Sequence, residues 1–203
     1  KVRDMARGKQ NDQSLTTKEK IRTAVMSMMQ TRTLEEISVE EICKKAGVGI
    51  GTFYHYYKSK SDIALEVHSE MDAGFLTLAS DPEVQQMSPY QYIIRHFACY
   101  ANFVTQQKIE FSKMVYAVQD KMFVDHNRPV YTTLKHKLAE EQAKGRVAAS
   151  VDVDELCDYI NLMLRGLAYD WCLWDGKYDL VKASVDFAKK ILAAYEGLLG
   201  GDQ

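Results

Sequence analysis

Apolar residues return every three or four positions along almost the whole chain, and this period constrains the fold more than any other feature of the sequence. A helix places positions i, i+3, i+4 and i+7 on one side, whereas a half-buried strand needs strict alternation and favours runs of β-branched residues, which are scarce here. Only three prolines interrupt 203 residues. The expected fold is therefore all-α.

The helix signals divide the chain. Residues 1–14, "KVRDMARGKQNDQS", are polar, basic and aperiodic, and are expected to form a flexible arm. A first helix opens at Thr16 or Thr17 and ends near Thr31, with Ile21, Ala24, Val25 and Met28 on one face. Ser38-Val-Glu-Glu41 is a capping box, in which the serine hydroxyl and the glutamate carboxylate each satisfy an orphan N–H of the other's backbone. The helix it starts is stopped by Gly47, which tolerates the left-handed conformation of a helix C-terminus. A short helix over 50–57 follows, then a longer one to about Ala79, capped by Ser59 with Asp62 three residues on. Asp81-Pro82 breaks the chain, and Ser88-Pro89 restarts it in cap-then-proline order. Further helices are expected near 110–121, 128–144, 153–175 and 178–199. We place a helix-turn-helix domain at 15–65 and a larger helical domain at 66–203.

Net charge is -2, and its distribution is uneven. Residues 1–65 hold 12 Lys and Arg against 8 Asp and Glu, whereas residues 66–203 hold 14 against 20. A basic head on an acidic body suggests that the two parts do different work, the head meeting a polyanion. No stretch approaches the roughly 18 apolar residues of a membrane span, and no apolar secretory run opens the chain, so a cytoplasmic protein without a membrane partner is expected. Cys43, Cys99, Cys157 and Cys172 form no CxxC pair and read as reduced packing residues. The five histidines have no metal-ligand spacing, so neither metal nor cofactor is expected.

"GVGIGTFYHYYKSK", residues 47–60, carries the most specific information. It fails as a dinucleotide fingerprint because Thr52 stands where the third glycine belongs and a helix precedes it; it fails as a P-loop because Gly51 is followed by Thr52 and Phe53. On a helix with Ile50 at zero, Phe53 falls at about 300°, Tyr54 at about 40° and Tyr57 at about 340°, which makes one apolar arc with Ile50. Gly51, Thr52, His55 and Tyr56 form the other face. Small residues, hydroxyls and an imidazole there suit the major groove of a duplex.

Residues 17–67, through "SVEEICKKAGV", "GTFYHYYKSK" and "DIALEV" at their spacing, resemble the DNA-binding domain of the TetR family of transcriptional regulators. The resemblance implies a recognition helix at 50–56 and DNA contacts from Ser38, Ile50, Gly51, Thr52, Tyr54, His55, Tyr56 and Lys60. Our helical wheel ranks Ile50 lower, as packing. The sequence departs from the family at Thr33, Ile37, Gly49 and Ile50, and few side chains at the front of the recognition helix can make bidentate base contacts. Phosphates and DNA shape should then carry much of the binding.

No catalytic constellation occurs in the body, and no enzyme activity is expected. Large rings and thioethers do accumulate: Tyr92, His96, Tyr100, Phe103, Phe111 and Met114, then Tyr131, Tyr159, Met163 and Trp171 are read as lining a pocket for a small-molecule effector that is partly aromatic or apolar. "LRGLAYDWCLWDGKYDL" resembles a segment of the family's C-terminal domains. By that likeness, Leu167, Trp174, Val181, Val185, Ala188, Leu192 and Tyr195 are read as the interface of a homodimer. The expected function is a ligand-responsive repressor bound to double-stranded DNA at a pseudo-palindromic operator. The alternative is a TetR-like coactivator that has lost DNA binding and acts through a protein partner.

Overall fold

The computed structural model describes residues 17–29, 31–32, 34, 36–107, 109–117 and 121–200, with the side chains of 64, 65, 67, 68, 117, 121 and 122 excepted. The arm expected at 1–14, the candidate cap Thr16 and Thr33 lie outside them. The described residues form helices and short 3₁₀ turns, with one isolated β-bridge between Val147 and Leu199. The chain divides into two compact units, Lys1–Val67 and His68–Gln203.

In the first unit, α1 covers 17–28, α2 Val39–Ala46 and α3 Ile50–Tyr56, and α4 (Ser61–Ser80) begins there. The capping box forms as the sequence predicts: the Glu41 N–H donates to Ser38 Oγ at 3.1 Å and the Ser38 N–H to Glu41 Oε2 at 2.8 Å. Bonds from Ser38 and Arg32 hold the exposed Glu41 carboxyl well down, to about 2. Gly47 ends α2 at φ 68°, with its N–H on the Cys43 carbonyl. Ile21, Val25, Ile37, Ile42, Phe53 and Ile63 are buried together as an apolar centre for four short elements. At one corner Glu66 accepts from Lys18 Nζ at 2.5 Å and from the Tyr57 hydroxyl at 2.6 Å.

The second unit is built on α6 (Pro89–Gln106), whose Ser88–Gln91 capping box and N-terminal Pro89 fix its start. It is buried on two sides through Tyr92, Ile93, His96, Phe97, Tyr100 and Val104, as expected of a central helix. Around it stand α7 (Ile109–Ala117), α8 (Pro129–Ala143), α9 (Val153–Leu173) and α10 (Leu180–Leu192). The sequence read Asp81-Pro82 as a plain break; instead Asp81 caps a single turn, α5 (Pro82–Gln85), by accepting the Glu83 N–H at 2.9 Å. The last helix stops earlier than the expected 199, passing into a 3₁₀ turn at Ala193–Tyr195 and a positive-φ Gly197. The tail then closes on the unit through Ala148 N–H to Leu198 O at 2.8 Å.

Two charged clusters knit this unit. Arg128 grips Asp72 with Nε to Oδ2 at 3.0 Å and Nη2 to Oδ1 at 3.1 Å, both residues largely buried. Glu141, wholly buried, accepts from Arg146 and from Lys137 Nζ at 3.2 Å, and the Arg146 bonds hold its carboxyl down, to about 2.

Candidate nucleic-acid interface and effector cavity

Seven residues are too few to fold alone, so α3 takes its position from what it buries. Phe53 and Tyr57 do this, both nearly inaccessible, their rings 5.7 Å apart. The inward arc is narrower than the wheel predicts. Ile50 is 46% exposed and Tyr54 55%, so both belong to the outer face with Gly51, Thr52 and His55. Ile50 sits in the first turn with no turn before it to pack behind, and burial begins one turn later at Phe53. The disagreement between wheel and family pattern over Ile50 thus resolves toward exposure.

Gly49 and Gly51 have no positive φ, and a Cβ at Gly51 would meet nothing within 4 Å. Their own fold does not need glycine there. What the absence of side chains leaves is an accessible backbone at the front of the helix, which a phosphate or base edge can approach closely. Tyr56 is half-buried with its ring 4.9 Å from His55, and Ser38 is committed to the capping box.

Lys60 differs from its expected role. Its Nζ donates to the carbonyls of Leu34 and Ile37, each at 2.7 Å, closing the open end of the 34–37 turn. Its ammonium serves the fold, and Lys58 is exposed. Lys58 N–H and Ser59 bind the Asp62 carboxylate instead, which anchors the start of α4.

In the second unit most of the expected pocket residues are packed into the core. Tyr92, Tyr100, Phe111, Met114, Tyr131 and Trp171 are buried core, and Phe103 and Met163 are half-buried against it. Tyr100 and Tyr116 join hydroxyls at 2.9 Å, and desolvation raises both phenols. Trp171 is structural: Nε1 donates to Tyr178 O at 2.9 Å and the ring lies 3.1 Å from where a Cβ on Gly176 would stand, so the turn requires glycine. Tyr159 is 48% exposed, bonds to Glu155 and points out of the unit. A cavity of about 820 Å³ opens between α5, α6 and α8 with Tyr92 at its inner wall, and a second of about 270 Å³ lies beside Tyr131, Tyr159 and Arg165.

His96 stands apart from the rest. It is fully buried, its ring lies 4.5 Å from Phe75 and 6.3 Å from Tyr92, and neither ring nitrogen has a hydrogen-bond partner. Desolvation pushes its imidazole down to about 3.

The residues expected at the interface divide: Ala188 and Leu192 fill the unit's own core, Leu167, Val181, Val185 and Tyr195 are half-buried, and Trp174 is 61% exposed. The sequence missed a stripe on α9: Tyr159, Leu162, Tyr169 and Leu173 are all exposed, with Gly166 between them. Steps of three and four were there to be read, but two apolar faces on one helix cannot be told apart by period alone.

All four cysteines are free. Burial pushes Cys157 up to about 12 and Cys172 up to about 11, which keeps both as unreactive thiols. Among the described residues, no three metal-ligating side chains come together and no helix is long and apolar enough to cross a membrane.

The head holds three helices, with a short third one after a glycine turn. Residues 21–67 match the family model of the bacterial regulatory proteins, tetR family. The fold agrees over most of the chain. FadR from Bacillus subtilis, solved with stearoyl-CoA, is 18% identical, covers 91% of this chain and 99% of its own, and superposes with a TM-score of 0.64. Thermus thermophilus FadR, a TetR-family repressor solved with lauroyl-CoA, is 20% identical over 92% of this chain and 97% of its own, with a TM-score of 0.63. Salmonella enterica GusR gives 18%, 87%, 95% and 0.57 in the same terms. No curated protein sequence matches the chain significantly.

Proposed function

We propose that this chain is a homodimeric, ligand-responsive DNA-binding regulator, a repressor released from a pseudo-palindromic operator by a small molecule. The observation that carries the reading is the division of α3: Phe53 and Tyr57 are sunk in the head, and Gly51, Thr52, Tyr54 and His55 are turned outward. That face has little formal charge and is shaped by small groups, so base contacts would come from Thr52 and His55, and Tyr54 and Lys58 would reach phosphates. Its recognition is expected to lean on backbone contacts and DNA shape.

The exposed stripe on α9 supports the dimer. Apolar residues repeating at three and four along about four turns suit the seam of a helix pair, and a second copy laid across it by a two-fold axis would bury them. Two-fold symmetry then sets two recognition helices against half-sites about 34–36 Å apart, or a multiple of one turn. The large buried rings of the body, and the acyl-CoA molecules named with two similar structures, support an effector with an apolar portion. A molecule that binds two orientations of α4 unequally would change the spacing of the recognition helices, which is all that induction requires.

Gel shifts on duplexes selected from random sequence, at two salt concentrations, test this. Binding with a sequence preference and a steep fall with salt is expected. Absence of binding to every duplex would overturn the reading in favour of a protein-binding coactivator, for which the glycine-rich front and exposed Ile50 would be the contact surface.

A further inference from the structure

Buried polar atoms are almost always paired, because leaving one unmade forfeits its hydration without return. His96 breaks that rule twice, since both ring nitrogens are inaccessible and neither has a partner. A phenylalanine or leucine would fill the same space without that loss. The rings beside it are Phe75 and Tyr92. The Tyr92 hydroxyl is turned away, toward the Thr133 carbonyl at 3.5 Å.

The position explains more. Tyr92 lies one turn before His96 on α6, lines the 820 Å³ cavity and has its ring 6.3 Å from the imidazole. On the other side stands Phe75, a residue of α4, with its ring tilted 39° to the imidazole. A molecule that entered past Tyr92 as far as His96 would press on Phe75.

We infer that His96 is the polar anchor of the effector site, and that the effector meets it with an uncharged hydroxyl or amide on an apolar frame rather than with a carboxylate. This rests on the reading of the chain as an effector-responsive regulator. A neutral imidazole offers one N–H and one lone pair, which such a group satisfies together. A carboxylate would arrive without a counter-charge: Lys137 Nζ, 5.9 Å from the Tyr92 ring centre, already serves the Gln85 carbonyl and Glu141. Burying an unpaired anion there is disfavoured. Displacement of Phe75 would pass the event directly to α4.

Decanol, decanamide and decanoate, matched in chain length, are the probes. Thermal melting of the full chain and of His96→Phe would be read with each, together with the imidazole nitrogen resonances of His96. Without probe, His96→Phe should melt higher than the wild type by a few degrees, because two unpaired nitrogens are gone. Decanol and decanamide should raise the wild-type melting temperature, leave His96→Phe nearly unmoved and shift the ring resonances; decanoate should do least. Equal stabilisation of both proteins, a lead for decanoate, or silent ring resonances under all three would overturn the inference. So would a lower melting temperature for His96→Phe alone, since that would reveal a partner in the free protein. Should that variant not fold, the wild-type resonances decide. Duplex binding is measured without any probe, so a failure of the regulator reading would show there and separately.

Discussion

Lys60 shows how one side chain can be read correctly in chemistry and wrongly in place. A lysine after an aromatic helix suggests a phosphate contact, yet its ammonium closes the turn at Leu34 and Ile37. Lys60→Ala should therefore destabilise the head by about 1–3 kcal/mol, because two buried carbonyls lose a charged donor. Tyr54→Ala and Lys58→Ala, both exposed, should leave the melting temperature within experimental scatter while weakening binding to all duplexes alike, Lys58→Ala also reducing the salt slope by about one phosphate. If Lys60→Ala melted like the wild type and lost only duplex affinity, its assignment to the fold would be wrong. Glu141 makes a prediction about pH. Its carboxyl is held down to about 2 by Arg146, with Lys137 adding to the effect, so its contribution to stability is present above the ordinary carboxylate range and lost as pH falls from about 4.5 toward 2. Glu141→Gln should cost about 3 kcal/mol at neutral pH, by taking the carboxylate from the buried Lys137, and should flatten the acid limb of a stability-against-pH curve. A limb as steep as that of the wild type would assign the loss to other carboxylates.

Helices were legible where their ends carried signals. The capping box of Ser38 with Glu41 forms as the sequence predicts, Ser88 caps α6 ahead of Pro89 and adds a box with Gln91, and Gly47 ends α2 in the left-handed region. These are local interactions, and a few residues suffice to specify them. Which side of a helix faces the core was harder to read. On α9 helical spacing groups Leu156, Tyr159, Met163, Leu167, Trp171 and Trp174 on one side; of these Leu156 and Trp171 are buried, and the rest of the packed side is Ile160, Leu164 and Ala168. Both stripes are apolar at helical spacing, and only the positions of α7 and α8 decide between them. The exposed stripe gives a prediction at this scale: Leu162→Glu and Leu173→Glu should each turn the dimer into a monomer in sedimentation equilibrium with helix content kept. Dimers that persist in both variants would move the interface elsewhere.

At the scale of the whole molecule, symmetry joins the parts. A monomeric Leu173→Glu protein keeps an intact head but presents one recognition helix at a time, so its affinity for a selected operator should fall by a factor of about 10² or more, through loss of effective concentration. Its affinity for a single half-site should stay that of a wild-type head, and unequal half-site affinities would sink the argument. The sequence by itself determined the helical class, the position of the turn, the basic head and the residues of the short third helix, because each depends on short-range chemistry repeated at a fixed period. Only the tertiary structure decided that Ile50 faces outward, that Lys60 serves a turn 23 residues before it, that Arg128 holds Asp72, and that His96 is buried without a partner. Those outcomes depend on which distant surfaces fill the space around a side chain, and helical period fixes only the direction in which the side chain leaves its own helix.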